Sequence, residues 1–255
     1  LRDCQCVFSG KELEIHPHVP PLDKFGSYAK ADCRIFMSAT VTDDAFLVKG
    51  LGLDAGVIKA PLAYEAEKWT GEKMILLPSV VDPRLERSVI VKMFGTPEPK
   101  RTVGVVALCP GDERTKDWKA YGAVVCESKD IYDHIANLRD ESGDRTKTVV
   151  FSNRYDGIDL PDGACRILVV DSKPFAESVL DRYMERCLGN SDAIATRTAR
   201  RIEQGLGRAV RGEKDYCVVL LIGPDLVAQM KTPALRGYFS PQTRLQKIGR
   251  ASCRE

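Results

Sequence analysis

"TVVFSNRYDGIDLPDGACRILVVD", residues 148–171, holds two short apolar runs with a polar loop between them. In 149–151 and 167–170 the apolar residues follow one another without alternating. A strand with one wet face alternates; an unbroken apolar run of roughly four to eight residues suits a strand buried on both faces, as in a parallel sheet. The same pattern recurs in "RIFMSAT" (34–40), "KMILLP" (73–78), "VGVVALC" (103–109), "AVVC" (123–126) and "YCVVLLI" (216–222). Helical patterns separate several of these runs. In "VDPRLERSVIVKMFG" (81–95), Asp82 is the expected N-cap, with Pro83 at the first helical position. In "SKDIYDHIANLRDES" (128–142), Ser128 is the expected N-cap, and Ile131, Ile135 and Leu138 share one face. Strand alternating with helix predicts an α/β fold with a doubly wound parallel sheet. Ligands of such sheets sit at the carboxyl ends of the strands, so the residues after each run are the ones to read for chemistry.

Bulk composition sets limits. The chain has 255 residues, 44% of them hydrophobic, with a formal net charge of +2. That allows a substantial core, and any nucleic-acid surface has to be a local patch. No run approaches the ~18 apolar residues of a membrane span. No signal peptide opens the chain, and the first residue is Leu1. The expectation is a piece of a longer intracellular, cytoplasmic and bacterial protein. Nine cysteines include no C-x-x-C pair. Cys109, Cys165 and Cys217 lie in or beside apolar runs and read as reduced structural thiols. His16, His18 and His134 form no catalytic or zinc-type pattern by spacing, so no metal ligand is expected. The last eight residues, "IGRASCRE" (248–255), read as one frame of a common sequencing adapter and are set aside from fold reasoning.

Charge concentrates in one place. "ARRIEQGLGRAVRG" (199–212) follows a good N-cap, Ser191, and ends at Gly212, a good residue to end a helix. Read as one helix, it carries Arg197, Arg201, Gln204, Arg208 and Arg211 on a stripe about 80° wide. Ala195, Ala199, Ile202, Leu206 and Val210 fall on the opposite side. Like charges one turn apart destabilise a helix by a few tenths of a kcal/mol per pair, and no acid lies on the stripe. Gly205 and Gly207 each cost about 1 kcal/mol relative to alanine inside a helix. A sequence that accepts both costs points to close backbone approach and a bound anion, and planar guanidinium groups suit phosphate.

Gln204-Gly205-Leu206-Gly207-Arg208-Ala209-Val210-Arg211 resembles motif VI, Q-x-x-G-R-x-x-R, of superfamily 2 helicases, in the XPD/DinG-like branch. Ser38-Ala39-Thr40 is similar to motif III, "VVALCPGDERTKDW" (105–118) to the motif IV region, and "FSNRYDGIDLPDGACRILVVDSKPF" (151–175) to motif V and the segment beyond it in that branch. The resemblance implies a RecA-like fold: the second motor lobe at 76–247, with 1–75 a remnant of the first lobe. It implies ATP and Mg²⁺ as cofactors, with the magnesium ligands in a first lobe upstream. Arg208 and Arg211 would act as arginine fingers, with Gln204 helping to orient the site. Gly157, Asp159, Gly207, Ser38 and Thr40 would bind ATP or couple it to movement. Asn153, Arg154, Gly111 and Thr115 would contact nucleic acid: DNA, single-stranded or with a single-stranded end, or RNA.

Two departures stand out. Gly111 follows Pro110 where relatives place a serine. The chain has no G-x-x-x-x-G-K-[ST], and "ILVVDSKP" matches the Walker B pattern only as far as Asp171, where Ser172 replaces the second acid. The expected role is therefore the motor lobe of an ATP-dependent helicase or translocase, inactive on its own. A nucleic-acid remodeller without unwinding and an inactive binding scaffold are the alternatives.

Overall fold

The structure is a computed structural model, and it describes residues 3–36, 46–59, 62, 71–155, 157–174, 178–189, 191–210, 212, 214–233 and 237–248. Ser38, Thr40 and Arg211 lie outside the described residues. The elements in chain order are β1 (Cys4–Ser9), β2 (Glu12–Pro17), β3 (Glu72–Leu76), α1 (Arg87–Gly95), β4 (Val105–Cys109), α2 (Asp112–Ala120), β5 (Val124–Val125) and α3 (Ile131–Arg139). Next come β6 (Val149–Ser152), β7 (Ile167–Asp171), α4 (Val179–Leu188), α5 (Asp192–Leu206), β8 (Tyr216–Ile222), α6 (Pro224–Lys231), α7 (Pro241–Gln246) and β9 (Lys247–Ile248). Chain contacts divide the molecule into two compact units, Leu1–Glu67 with Ala176–Leu188, and Lys68–Phe175 with Gly189–Glu255.

In the smaller unit, β1 and β2 pair antiparallel, from Cys4 opposite Pro17 to Ser9 opposite Glu12. Gly10 takes the left-handed conformation the tight turn needs, at φ 58°. The hairpin holds α4 by its amino end: the Glu14 carboxylate accepts from the backbone N–H of Val179 at 2.7 Å and of Leu180 at 3.1 Å. Those are two of the donors that a helix start leaves without an internal partner. The Val179 amide, the His16 ring and the Leu180 amide together hold the Glu14 carboxyl down at about 2.

The larger unit is the expected α/β fold, with a doubly wound parallel sheet. Strand order is β5-β6-β4-β7-β8-β3-β9, and every pairing is parallel. Alternate residues of each central strand feed cores on opposite faces. Val106, Leu108, Phe151, Leu168, Val170, Val219 and Leu221 pack with Ile135, Leu138, Ala199, Ile202 and Leu206 on one side. Ala107, Cys109, Val150, Val169, Leu220 and Ile222 pack with Ile90, Val91 and Trp118 on the other. Burial on both faces is why these strands read as unbroken apolar runs. β3, the "KMILLP" run, pairs along its whole length with β8 and belongs to this sheet, so the boundary expected between residues 75 and 76 cuts through a strand.

Several expected boundaries shift. Residues 34–36 of "RIFMSAT" are not a strand, and 37–40 lie outside the described residues. Asp82 does not cap α1: its carboxylate accepts from the Arg84 N–H at 3.0 Å, closing a local turn, and α1 begins at Arg87. Asp130, not Ser128, stands at the N-cap position of α3, and its carboxylate closes the preceding turn by accepting from the Glu127 N–H at 2.8 Å.

Candidate functional site

The chain leaves β4 through α2 towards β5, and leaves β7 through α5 towards β8, in opposite directions across the sheet. Trp118 of α2 and Ile202 of α5 lie in the two opposite cores, so these crossovers also cover opposite faces. Adjacent strands whose connections part in this way open a crevice at their carboxyl ends. Cys109-Pro110-Gly111 and Asp171-Ser172-Lys173 emerge there, beside the loop after β6.

Asp171, the residue at the end of the Walker B-like run, is fully buried. Its carboxylate accepts from Arg87 Nε at 2.7 Å and Nη2 at 2.8 Å, from Trp118 Nε1 at 2.8 Å and from Ser172 Oγ at 3.0 Å. Arg87 also donates through Nη1 to Asp117 at 2.6 Å. Burial works against the charge on Arg87, but bonding to Asp171 and Asp117 outweighs it and raises the guanidinium pKa. Asp171 is a hub joining β7 to α1 and α2, and its lone pairs are engaged inside the protein.

α5 carries the expected two-sided character. Ala199, Ile202 and Leu206 are buried, while Arg197 and Gln204 are exposed. The Ser191 side chain caps its start by accepting from the Ile194 N–H. The helix stops at Leu206, earlier than the expected Gly212. Gly207 ends it, so Gly207 and Arg208 are not inside the helix and the arginine stripe is not a single helical face. Gly205 shows the close approach expected of it. A methyl group there would stand 3.1 Å from the Tyr155 ring and 3.4 Å from Leu108.

Arg208 ties the end of α5 to the loop after β6. Its Nε donates to the Gln204 carbonyl at 3.0 Å and the Tyr155 carbonyl at 2.9 Å, and its Nη1 to the Ile158 carbonyl at 3.2 Å. The Leu160 N–H returns a bond to the Arg208 carbonyl at 3.0 Å. A cation on the last carbonyls of a helix also complements its negative end. The same loop is held from the other side by Arg139 of α3, whose Nε donates to the Asp159 carbonyl at 3.0 Å and Nη2 at 2.6 Å. Gly157 is left-handed at φ 70°, and so is Asn153 at φ 52°.

The site residues expected from sequence thus divide. Asn153, Arg154, Gly157, Asp159, Gln204, Gly207 and Arg208 gather around one loop and one helix end. Arg154 is exposed, and Gly111 is the extended residue before α2. Thr115 is buried, and its hydroxyl donates to the Asp112 carbonyl at 2.8 Å within its own helix. Spacing also missed the contribution of Tyr155. Its ring packs under Gly205, its hydroxyl is buried without a hydrogen-bond partner among the described residues, and burial pushes its pKa up. The Asn153 side-chain oxygen is buried and unpaired in the same way.

A second cluster lies beyond β5. Ligand atoms of Cys126, Asp130 and His134 all fall within 4.8 Å of one another, although their sequence spacing had given no metal pattern. Burial and the charge of Asp130 push the Cys126 thiol up to about 12. Cys109, Cys165 and Cys217 are buried free thiols.

The family model for the helicase C-terminal domain matches residues 113–239. The solved "Structure of S. tokodaii Xpd4" aligns over 72% of this chain at 17% identity and a TM-score of 0.43, and the chain spans 39% of that structure's length. No curated protein matches in sequence.

Proposed function

We propose that the chain, which matches the family model for the helicase C-terminal domain over residues 113–239, is the C-terminal motor lobe of an ATP-dependent DNA helicase or translocase. The observation that carries the reading is the junction made by Arg208. It binds the two segments that resemble motifs V and VI into one unit at the carboxyl end of a parallel sheet.

In this reading Gln204, Arg208 and Arg211 meet the γ-phosphate of ATP held by the first lobe. Guanidinium groups there stabilise charge that develops as the phosphoryl group transfers. Arg208 has a second task, to hold Gly157 and Asp159 in register, so that nucleotide and nucleic acid report to the same loop. Asn153, Arg154 and the backbone at Gly111 would track the phosphates of a DNA strand, or of RNA, by contacts independent of sequence and sensitive to salt. Ser38 and Thr40 would relay movement from a remnant of the first lobe upstream of β3.

ATP and Mg²⁺ fit the chain unequally. Guanidinium and amide side chains such as Arg208 and Gln204 suit the phosphates. The carboxylate best placed for a metal ion, Asp171, is closed within its pair with Arg87, so this chain offers no magnesium ligand there. The magnesium carboxylates and the phosphate cradle belong to the partner lobe. The 255-residue chain alone is therefore expected to show no Mg²⁺-dependent ATP turnover in a phosphate-release assay, and measurable turnover by it would overturn the reading.

A further inference from the structure

We propose that Cys126, Asp130 and His134 form a binding site for a divalent transition-metal ion of the zinc class, bracing the start of α3 against the end of β5. Each residue offers a different donor: sulfur, carboxylate oxygen and imidazole nitrogen. Thiolate with imidazole selects zinc-like ions and disfavours Mg²⁺ and Ca²⁺, which prefer oxygen alone. Three protein ligands leave a fourth tetrahedral position for water or another donor.

The cluster is anchored before any ion arrives. The Cys126 N–H donates to the Val150 carbonyl at 2.9 Å, which fixes its backbone on the sheet. One carboxylate oxygen of Asp130 is held by the Glu127 N–H at 2.8 Å. His134 stands one helical turn beyond Asp130, with its Nε2 3.9 Å from that carboxylate. Bonds of about 2.0–2.3 Å around a tetrahedral ion put the ligand atoms about 3.3–3.8 Å apart. From within 4.8 Å, the partly exposed His134 ring has to close by about 1 Å, a side-chain movement. An N-cap carboxylate paired with a histidine on the same helix accounts for Asp130 and His134. It does not account for a nearly buried cysteine within reach of both. On binding, the Cys126 thiol gives its proton to solvent and the thiolate takes the ion. The site also bears on the loop described above, because α3 ends in Arg139, which holds the Asp159 carbonyl.

The test uses the full 255-residue chain, purified with chelator and titrated with Co²⁺ alone, then with Zn²⁺ in competition. The expected result is one equivalent of Co²⁺ with a thiolate-to-cobalt charge-transfer band, displaced by Zn²⁺. His134→Ala should weaken Co²⁺ binding by at least the ~10- to 100-fold seen when even an outer partner of a ligand is lost. Cys126→Ser should abolish the band, whereas serine at both Cys4 and Cys6 should leave it intact. His134 is partly exposed, so its variant keeps the test decisive if the Cys126 variant fails to fold. No charge-transfer band in the parent chain, or a band and affinity unchanged in His134→Ala, would overturn the proposal.

Discussion

Arg208 and Asp171 show how little a residue's type fixes its role. Both resemble catalytic groups in sequence, and both are engaged by neighbours in the fold. Asp171 lies in a closed hub with Arg87 and Trp118. Removing one partner of a buried pair leaves the other charged and uncompensated, which typically costs about 3–5 kcal/mol. Asp171→Ala should lower the stability of the chain by that order in urea unfolding, with the slope of the transition unchanged. A loss below about 0.5 kcal/mol would mean that Arg87 finds water or another acid. Sequence reading stopped at Asp171 because the residue that claims its carboxylate, Arg87, stands 84 positions away. No local pattern encodes such a pairing. The same holds for Cys126, Asp130 and His134: their spacing of four and four matches no familiar zinc motif, and only the turn between β5 and α3 brings the sulfur round to the helix.

At the scale of elements, the apolar runs were legible because their chemistry is local. A run buried on both faces carries its own signature, and the runs matching β3, β4, β6, β7 and β8 all pair in the sheet. Helix ends were less legible, because carboxylates such as Asp82 and Asp130 bind turns as readily as they bind helix starts. The end of α5 was misread for a related reason: Arg208 caps the helix from beyond it, so the basic pattern continues past the last helical residue. Gly205 makes the packing of that helix testable. Gly205→Val should destabilise the chain by about 1–3 kcal/mol through crowding of Tyr155 and Leu108, despite the better helix propensity of valine. An unchanged unfolding midpoint would show that Tyr155 moves aside freely. In the smaller unit, Glu14 gives the contact between hairpin and α4 a pH dependence. Its carboxyl lies at about 2 when folded against 4.5 ordinarily, so its contribution is complete above about 4.5 and fades as pH falls towards about 2. Amide exchange at Val179 and Leu180 should accelerate over that window beyond the intrinsic trend. Glu14→Gln should remove that extra dependence; a profile identical to the parent's would assign it to another acid.

At the scale of the molecule, the larger unit supplies a rigid parallel sheet on which one loop is clamped from two sides, by Arg139 of α3 and by Arg208 beyond α5. No helix among the described residues is long and apolar enough to cross a membrane. The proposed motor lobe would act opposite a second lobe, so its arginines have to be tested in protein that carries both. The most direct measurement is ATP turnover stimulated by single-stranded DNA, comparing the parent with Arg208→Ala and Arg211→Ala at saturating nucleotide. The account predicts that each variant still binds DNA, with the usual steep loss at high salt, and loses turnover by about 10³-fold or more. Turnover within twofold of the parent in both variants would contradict it and leave the arginines a purely structural role.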